Sequence, residues 1–264
     1  MSRNILITGA AGYIGGSIVA DLLSKHPEIT KDQIVAATSG LSAFYANSGW
    51  SRSVNKDTDA VFETEKGVAD SYPVRKTDVM VIEHAQAQGV TPFAVVPSIV
   101  YGRGTGAWNQ LSVMIPGLTR ASLKLEKVYK LDENISLQAV HISDLTALYC
   151  RIIHAVLNHE EIPSGKEEYY FAVAHDMDID KPEVYPSNEF DADSIDVPLE
   201  FLEDLYKSGG HFTATRPQSV GWKPQWDSER FLKNLDGEIE DVLELGKAKS
   251  SLIGTLFAAV GRAR

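Results

Sequence analysis

The spacing of three glycines, Gly9, Gly12 and Gly15, limits what this chain can fold into more than any other feature of it. Ahead of them lies Asn4-Ile5-Leu6-Ile7-Thr8, a short apolar run of strand type. Behind them the pattern predicts a helix over residues 12–25, with Ile14, Ile18, Val19, Leu22 and Leu23 as its apolar stripe. Strand, G-x-x-G-x-x-G and helix in immediate succession are the context of a dinucleotide-binding turn. In such a turn Gly9 allows the sharp reversal, Gly12 lets the backbone approach a pyrophosphate, and Gly15 lets helix and strand pack closely. The free N–H groups and the dipole of the helix start favour the anion.

The rest of the composition narrows the field. At 264 residues, 44% of them hydrophobic, the chain can bury a sizeable core as one large domain or a domain with a smaller appendage. A formal net charge of -11 argues against a nucleic-acid partner, which needs a basic face. Cys150 is the single cysteine and sits in an apolar helical run, which predicts a buried core thiol. No charged-then-apolar leader precedes the first strand, and the longest apolar run, near residues 252–260, is too short to span a bilayer. The expectation is a cytoplasmic protein with no membrane partner. The histidines show no ligand spacing, so no metal site is expected.

Further along, Gln33 to Ala37 reads as a buried parallel strand opening into Thr38-Ser39-Gly40. Residues 39–72 carry no convincing period, although Phe44, Tyr45, Trp50 and Phe62 are scattered through them. A helix is predicted over 74–88, opened by Pro73 and ended by Gly89, and then a strand over 93–96. Residues 111–123 read as helical. Residues 139–142 form a short strand, with Asp144 as the expected N-cap of a helix reaching about Asn158. Residues 169–173 are strand-like and 174–194 irregular and acidic. Helices are expected over 198–207 and 228–246. In the last, Glu238, Glu240, Asp241 and Glu244 form a solvated face opposite Phe231, Leu232, Leu235, Ile239 and Val242.

Five segments, in order, resemble one known family. Thr8-Gly9-Ala10-Ala11-Gly12-Tyr13-Ile14-Gly15 resembles the nucleotide fingerprint of the extended or atypical short-chain dehydrogenases/reductases, the NAD-dependent epimerase/dehydratase-like group, in a fungal flavour. Thr38-Ser39-Gly40 resembles the end of that family's fifth strand. Val96-Pro97 with Ile99-Val100-Tyr101-Gly102-Arg103-Gly104 is similar to the segment after its sixth strand, which touches nicotinamide and substrate. Val140 to Leu145 resembles a motif of the substrate half, and Gly221-Trp222-Lys223-Pro224 its late G-W-x-P turn.

The resemblance implies an α/β fold, a Rossmann-like doubly wound parallel sheet, with a small C-terminal α+β portion. It divides the chain into a dinucleotide-binding part over 1–138 and an interleaved substrate portion over 139–264. NAD or NADP is the implied cofactor, held by Gly9, Ala10, Ala11, Gly12, Tyr13, Ile14, Gly15, Pro97 and Tyr101. Hydride transfer to or from a small carbonyl, alcohol or sugar nucleotide is the implied reaction, with a homodimer as a possible assembly. Three further strands that the family places between the first helix and the Thr-Ser strand have no room here. The acidic residue that holds the adenosine ribose is missing with them, and so is an arginine for a 2′-phosphate. An incomplete sheet is therefore expected, as in a spliced or truncated variant, and a catalytically inactive or regulatory dinucleotide-binding protein is the alternative.

The family's catalytic set is a tyrosine, a lysine four residues on, and a Ser or Thr hydroxyl. Ser39 stands where that hydroxyl belongs, and Tyr72-Pro73-Val74-Arg75-Lys76 has the Y-x-x-x-K spacing. Arg75 aligns with the family lysine at least as well as Lys76. The structural alternative is a helix start whose Tyr72 packs on the surface and whose Lys76 is solvated. Tyr45 is a second acid candidate, Tyr101 with Gly102 is read as shaping the pocket wall, and His141 is read as an ordinary strand-end histidine.

Overall fold

The computed structural model describes residues 5–6, 12–25, 34–45, 49–130, 137–167, 169–177, 183–206, 209–247, 257–258 and 261. Its centre is a parallel sheet of β1 (Ile5–Leu6), β2 (Ile34–Thr38), β3 (Pro92–Pro97) and β7 (Tyr169–Ala172), in the order β1-β2-β3-β7. β2 lies directly between β1 and β3, with Val35 opposite Leu6 on one side and Pro92 on the other. The Thr-Ser strand thus pairs directly with β1. A second, smaller sheet joins β4 (Ile99–Tyr101) to β6 (Leu137–His141) in parallel and β6 to β8 (His175–Met177) in antiparallel fashion. β5 (Tyr129–Lys130) pairs with β9 (Glu183–Val184) in a two-stranded piece.

β3 and β7 are buried along their whole length, and alternate residues serve opposite faces. Phe93, Val95, Tyr170 and Ala172 enter a core with α1 (Tyr13–Lys25), α5 (Ile142–Leu157) and Trp222. Ala94, Val96, Tyr169 and Phe171 enter a second core with α2 (Val61–Gly67) and α3 (Pro73–Ala87). Helices therefore cover both faces, the doubly wound arrangement.

The segment 39–72 is ordered where it is described, and its aromatics do the covering on the second face. Phe44 meets Trp50 edge-on at 4.8 Å and Phe171 at 5.5 Å. Such rings need no helical period, which is why none showed in the sequence. Buried Asp57 fastens the segment by accepting N–H groups from Thr215 (3.0 Å), Arg216 (3.1 Å) and Phe171 (3.3 Å).

Other expectations need correction. Leu23 is 69% exposed, because the buried row of α1 runs through Ile18 and Leu22 one turn apart. The stretch 174–194 holds β8, β9 and α6 (Asn188–Ile195), the last begun by Ser187 accepting the Phe190 N–H at 3.2 Å. The expected helix 198–207 is a 3-10 turn, Leu199–Phe201, followed by α7 (Leu202–Tyr206). After a short α8 (Thr215–Ser219), the expected helix 228–246 breaks at Asn234 into α9 (Ser228–Lys233) and α10 (Leu235–Leu245), leaving Leu232 and Leu235 exposed. Glu238 is buried on α10 rather than solvated, and accepts the Gly102 N–H at 3.4 Å. The helix 111–123 starts later, as α4 (Met114–Leu125).

Candidate active site

In a parallel sheet, ligands gather at the carboxyl ends of the strands. Here those ends are the start of α1 (the next described element after β1), Thr38 and Ser39 at the end of β2, Pro97 and Ser98 at the end of β3, and Ala172 on β7. Gly9, Ala10 and Ala11 lie outside the described residues. Gly12 precedes α1, while Tyr13, Ile14 and Gly15 form its first turn, which carries no acidic side chain.

Three features fix that turn. The Tyr13 hydroxyl donates to the Gly102 carbonyl at 2.6 Å. Buried Ser17 donates to the Tyr13 carbonyl at 2.7 Å and accepts the Thr105 N–H at 3.1 Å. At Gly106 a Cβ would stand 2.9 Å from the Gly16 carbonyl carbon, and at Gly104 one would stand 2.9 Å from Ser17 Oγ, so both glycines are close-approach points. The loop after β4 is thereby bound to the start of α1. The G-x-G after Tyr101 carried this signal in the sequence, but Ser17 did not stand out there.

Tyr101 is fully buried, with its hydroxyl 2.9 Å from His175 Nε2 and its ring edge-on to Phe231 at 4.7 Å. Gly102 has φ +89°, and a Cβ there would fall 2.1 Å from the His141 ring. His141, not Asp144, caps α5: its Nδ1 accepts the Ser143 N–H at 3.2 Å, and its ring stacks on Trp226 at 3.8 Å. Burial, then the charges of Arg230 and His175, push the His141 pKa down to about 4. Asp144 instead receives the N–H groups of Gln225 (3.0 Å) and Trp226 (2.9 Å), while its carbonyl accepts Trp222 Nε1 at 2.8 Å. The motif around His141 and the Gly221-to-Pro224 turn are thus two halves of one junction.

The proposed catalytic residues lie across the second core. Ser39, half-buried after β2, takes its backbone place from Val95 and donates its hydroxyl to Asp78 Oδ2 on α3. Thr38 pairs with the Tyr149 hydroxyl at 2.5 Å. Tyr72, just before α3, reaches Ser42 Oγ at 3.4 Å. Lys76 points away into solvent, with its ammonium on Asp70 at 2.8 Å. Arg75 turns inward in its place: fully buried, it donates to the Ala43 carbonyl at 2.7 Å and lies over the rings of Trp50 and Tyr72 at 5.5 and 5.6 Å. Tyr45 is buried against Phe212 at 6.0 Å. Pro97 is buried in β3.

Comparison with known proteins places this architecture. UDP-glucose 4-epimerase from the hyperthermophile Thermotoga maritima, solved with UDP-glucose, superimposes with a TM-score of 0.50 at 11% identity, over 90% of this chain and 98% of that one. The terminal R domain of the myxalamid PKS-NRPS pathway gives 0.51 at 14% identity, over 89% of this chain and 63% of that one. The protein gox2253 gives 0.53 at 13% identity, over 91% and 98%. The fold shared with these structures is the doubly wound, Rossmann-like α/β fold. At these identities the likeness concerns the fold alone. No family model matches the chain. Nor does any curated protein match it. Within this fold the α1 start, the Gly102–Gly106 loop and Ser39 sit on the carboxyl side of the parallel sheet. Among the described residues no group of His, Cys, Asp and Glu could hold a metal ion, and no helix is long and apolar enough to cross a membrane.

Proposed function

We propose that this protein binds NAD or NADP at the start of α1 and transfers hydride between it and a small carbonyl compound, alcohol or sugar nucleotide. The observation that carries the reading is the placement of α1 next in the chain after β1, beside a β2 that is followed by Ser39. The residues present fit the pyrophosphate: glycines at 12, 15 and 16, no acidic side chain in the first turn, and backbone N–H groups at a helix start. No carboxylate for the adenosine ribose follows β2 among the described residues, so the affinity is expected to be modest. The bound nicotinamide would supply or accept the hydride. Ser39 polarises the substrate oxygen in this reading, and Tyr72 with Lys76 is the proton donor that the Y-x-x-x-K spacing suggests. It carries with it a small-molecule partner, no nucleic-acid or membrane partner, a cytoplasmic setting, and a homodimer as a possible assembly.

The ion pair of Lys76 with Asp70, and the place of Arg75 against the Tyr72 ring, favour a second reading: a dinucleotide-binding protein without turnover. Fluorescence titration with NADH and NADPH tests the first step, with saturable binding expected. No saturation up to millimolar nucleotide would sink both readings. Binding without reduction of any member of an aldehyde and ketone panel would favour the second.

A further inference from the structure

Behind Ser39 three elements bring four ionisable side chains into one buried group. Asp78 and Arg75 come from α3, Glu65 from α2 and Tyr169 from β7, and all are almost wholly buried. The Ser39 hydroxyl donates to Asp78 Oδ2, and the Tyr169 hydroxyl donates to Glu65 Oε2. The other oxygen of Glu65, Oε1, is buried with no N–H or O–H facing it. The Asp78 carboxyl is the acidic group beside Glu65, close enough for the two side chains to share a hydrogen bond. Two carboxylates in contact away from water resist ionising together at rest, whereas one proton between them satisfies the orphaned oxygen and removes a buried charge.

We infer that Glu65 and Asp78 hold one proton between them at neutral pH, and that Asp78 exchanges it with the Ser39 hydroxyl as the proton reservoir of the site. The inference rests on the reading of Ser39 as the hydroxyl that meets substrate. The step is a proton transfer without redox change. As an alkoxide oxygen of the substrate takes the proton of Ser39 Oγ–H, Asp78 returns its own to Oγ. One O–H bond breaks and one forms at Ser39, the O–H bond at Asp78 breaks as the substrate oxygen gains its own, and the carboxyl pair passes from one negative charge to two. Alcohol oxidation runs the same transfer backwards. Asp78 acts through Ser39 and is a positioning residue.

The groups facing the pair are Arg75, Tyr169 and Ser39. Burial raises both carboxyl pKa values, and the Asp78 charge raises that of Glu65 further. Hydrogen bonds from Tyr169 and Ser39, and the charge of Arg75, oppose the rise and would steady the doubly charged form.

Infrared spectra of the full chain in H2O and D2O test the inference, with melting curves taken on every variant. The wild type is expected to show a protonated-carboxyl band at neutral pH, shifted by D2O and lost in Glu65→Gln. In Ser39→Ala, which removes the hydrogen bond that favours ionised Asp78, its disappearance moves to higher pH. No such band at neutral pH, a band that survives Glu65→Gln, or a midpoint unmoved in Ser39→Ala overturns it. If Glu65→Gln does not fold, Ser39→Ala at its half-buried position still decides. NADH titration of the same samples separates the two claims: a coupled proton without NADH binding removes the dinucleotide reading alone, and binding without the band removes the reservoir alone. Where turnover is detected, Asp78→Asn is expected to lower kcat at least tenfold with KM unchanged, and Asp78→Glu to restore part of it. Loss in KM alone, or no rescue, contradicts the relay.

Discussion

Two buried polar groups flank the carboxyl end of the sheet, and they are built on opposite plans. Around His141 and Asp144 the side chains serve backbone: Asp144 takes two N–H groups, His141 caps α5, and Gly102 makes room for the imidazole. Around Ser39 the bonds run mainly from side chain to side chain, and one carboxylate oxygen is left over. Backbone partners fix a junction and leave its protons nowhere to go. Side-chain partners leave a proton that can move, at a cost in desolvation. The first group therefore reads as architecture and the second as chemistry.

The contrast can be broken first at Gly102. Gly102→Ala puts a methyl into the His141 ring at a left-handed backbone position and is expected to cost about 3 kcal/mol, read as a lower denaturant midpoint. Asp144→Ala strands two N–H groups and is expected to cost about 2 kcal/mol by the same measurement. A loss under half that size would show the junction to be less dependent on the carboxylate than its geometry says.

The two groups should also answer pH with opposite signs. His141 has a lowered pKa, so its contribution is present above the ordinary histidine value of about 6.5 and lost as pH falls toward about 4. Glu65 has a raised pKa, so its contribution is present below the ordinary carboxylate range and lost as pH rises above it. Glu65→Gln cannot lose that proton and should gain on the wild type as pH rises from 6 to 9, by about 1 kcal/mol in chemical denaturation. An unchanged difference across that range would remove the bound proton from the account. Smallest of all, Lys76→Ala should leave the melting midpoint where it is, because its partner Asp70 is fully solvated.

What the sequence revealed was what local chemistry encodes. The α1 start, β2, β3, α3 and the junction motifs each carry their signal within a few residues: glycine spacing, an all-apolar run, a proline at the first helical position. Asp144 was visible as functional to the helix start but assigned the wrong service, because its N–H partners lie about 80 residues away at Gln225 and Trp226. Glu238 looked solvated because four other acidic residues share its helix, yet Gly102 draws it inward while Asp241 and Glu244 stay outside on Arg103. The Ser39 group was the least legible. Its members come from positions 39, 65, 75, 78 and 169, four of them in or beside a stretch with no period, and only the packing of α2 and α3 onto β7 brings them together.

The central claim is that the α1 start and Ser39 belong to one binding site. Titrating NADH into 15N-labelled protein tests it through the amide signals of Gly12, Gly15 and Ser39. The account predicts that all three shift together along one saturation curve. Glycine signals that move while Ser39 stays still, or no movement in any of the three, would contradict it.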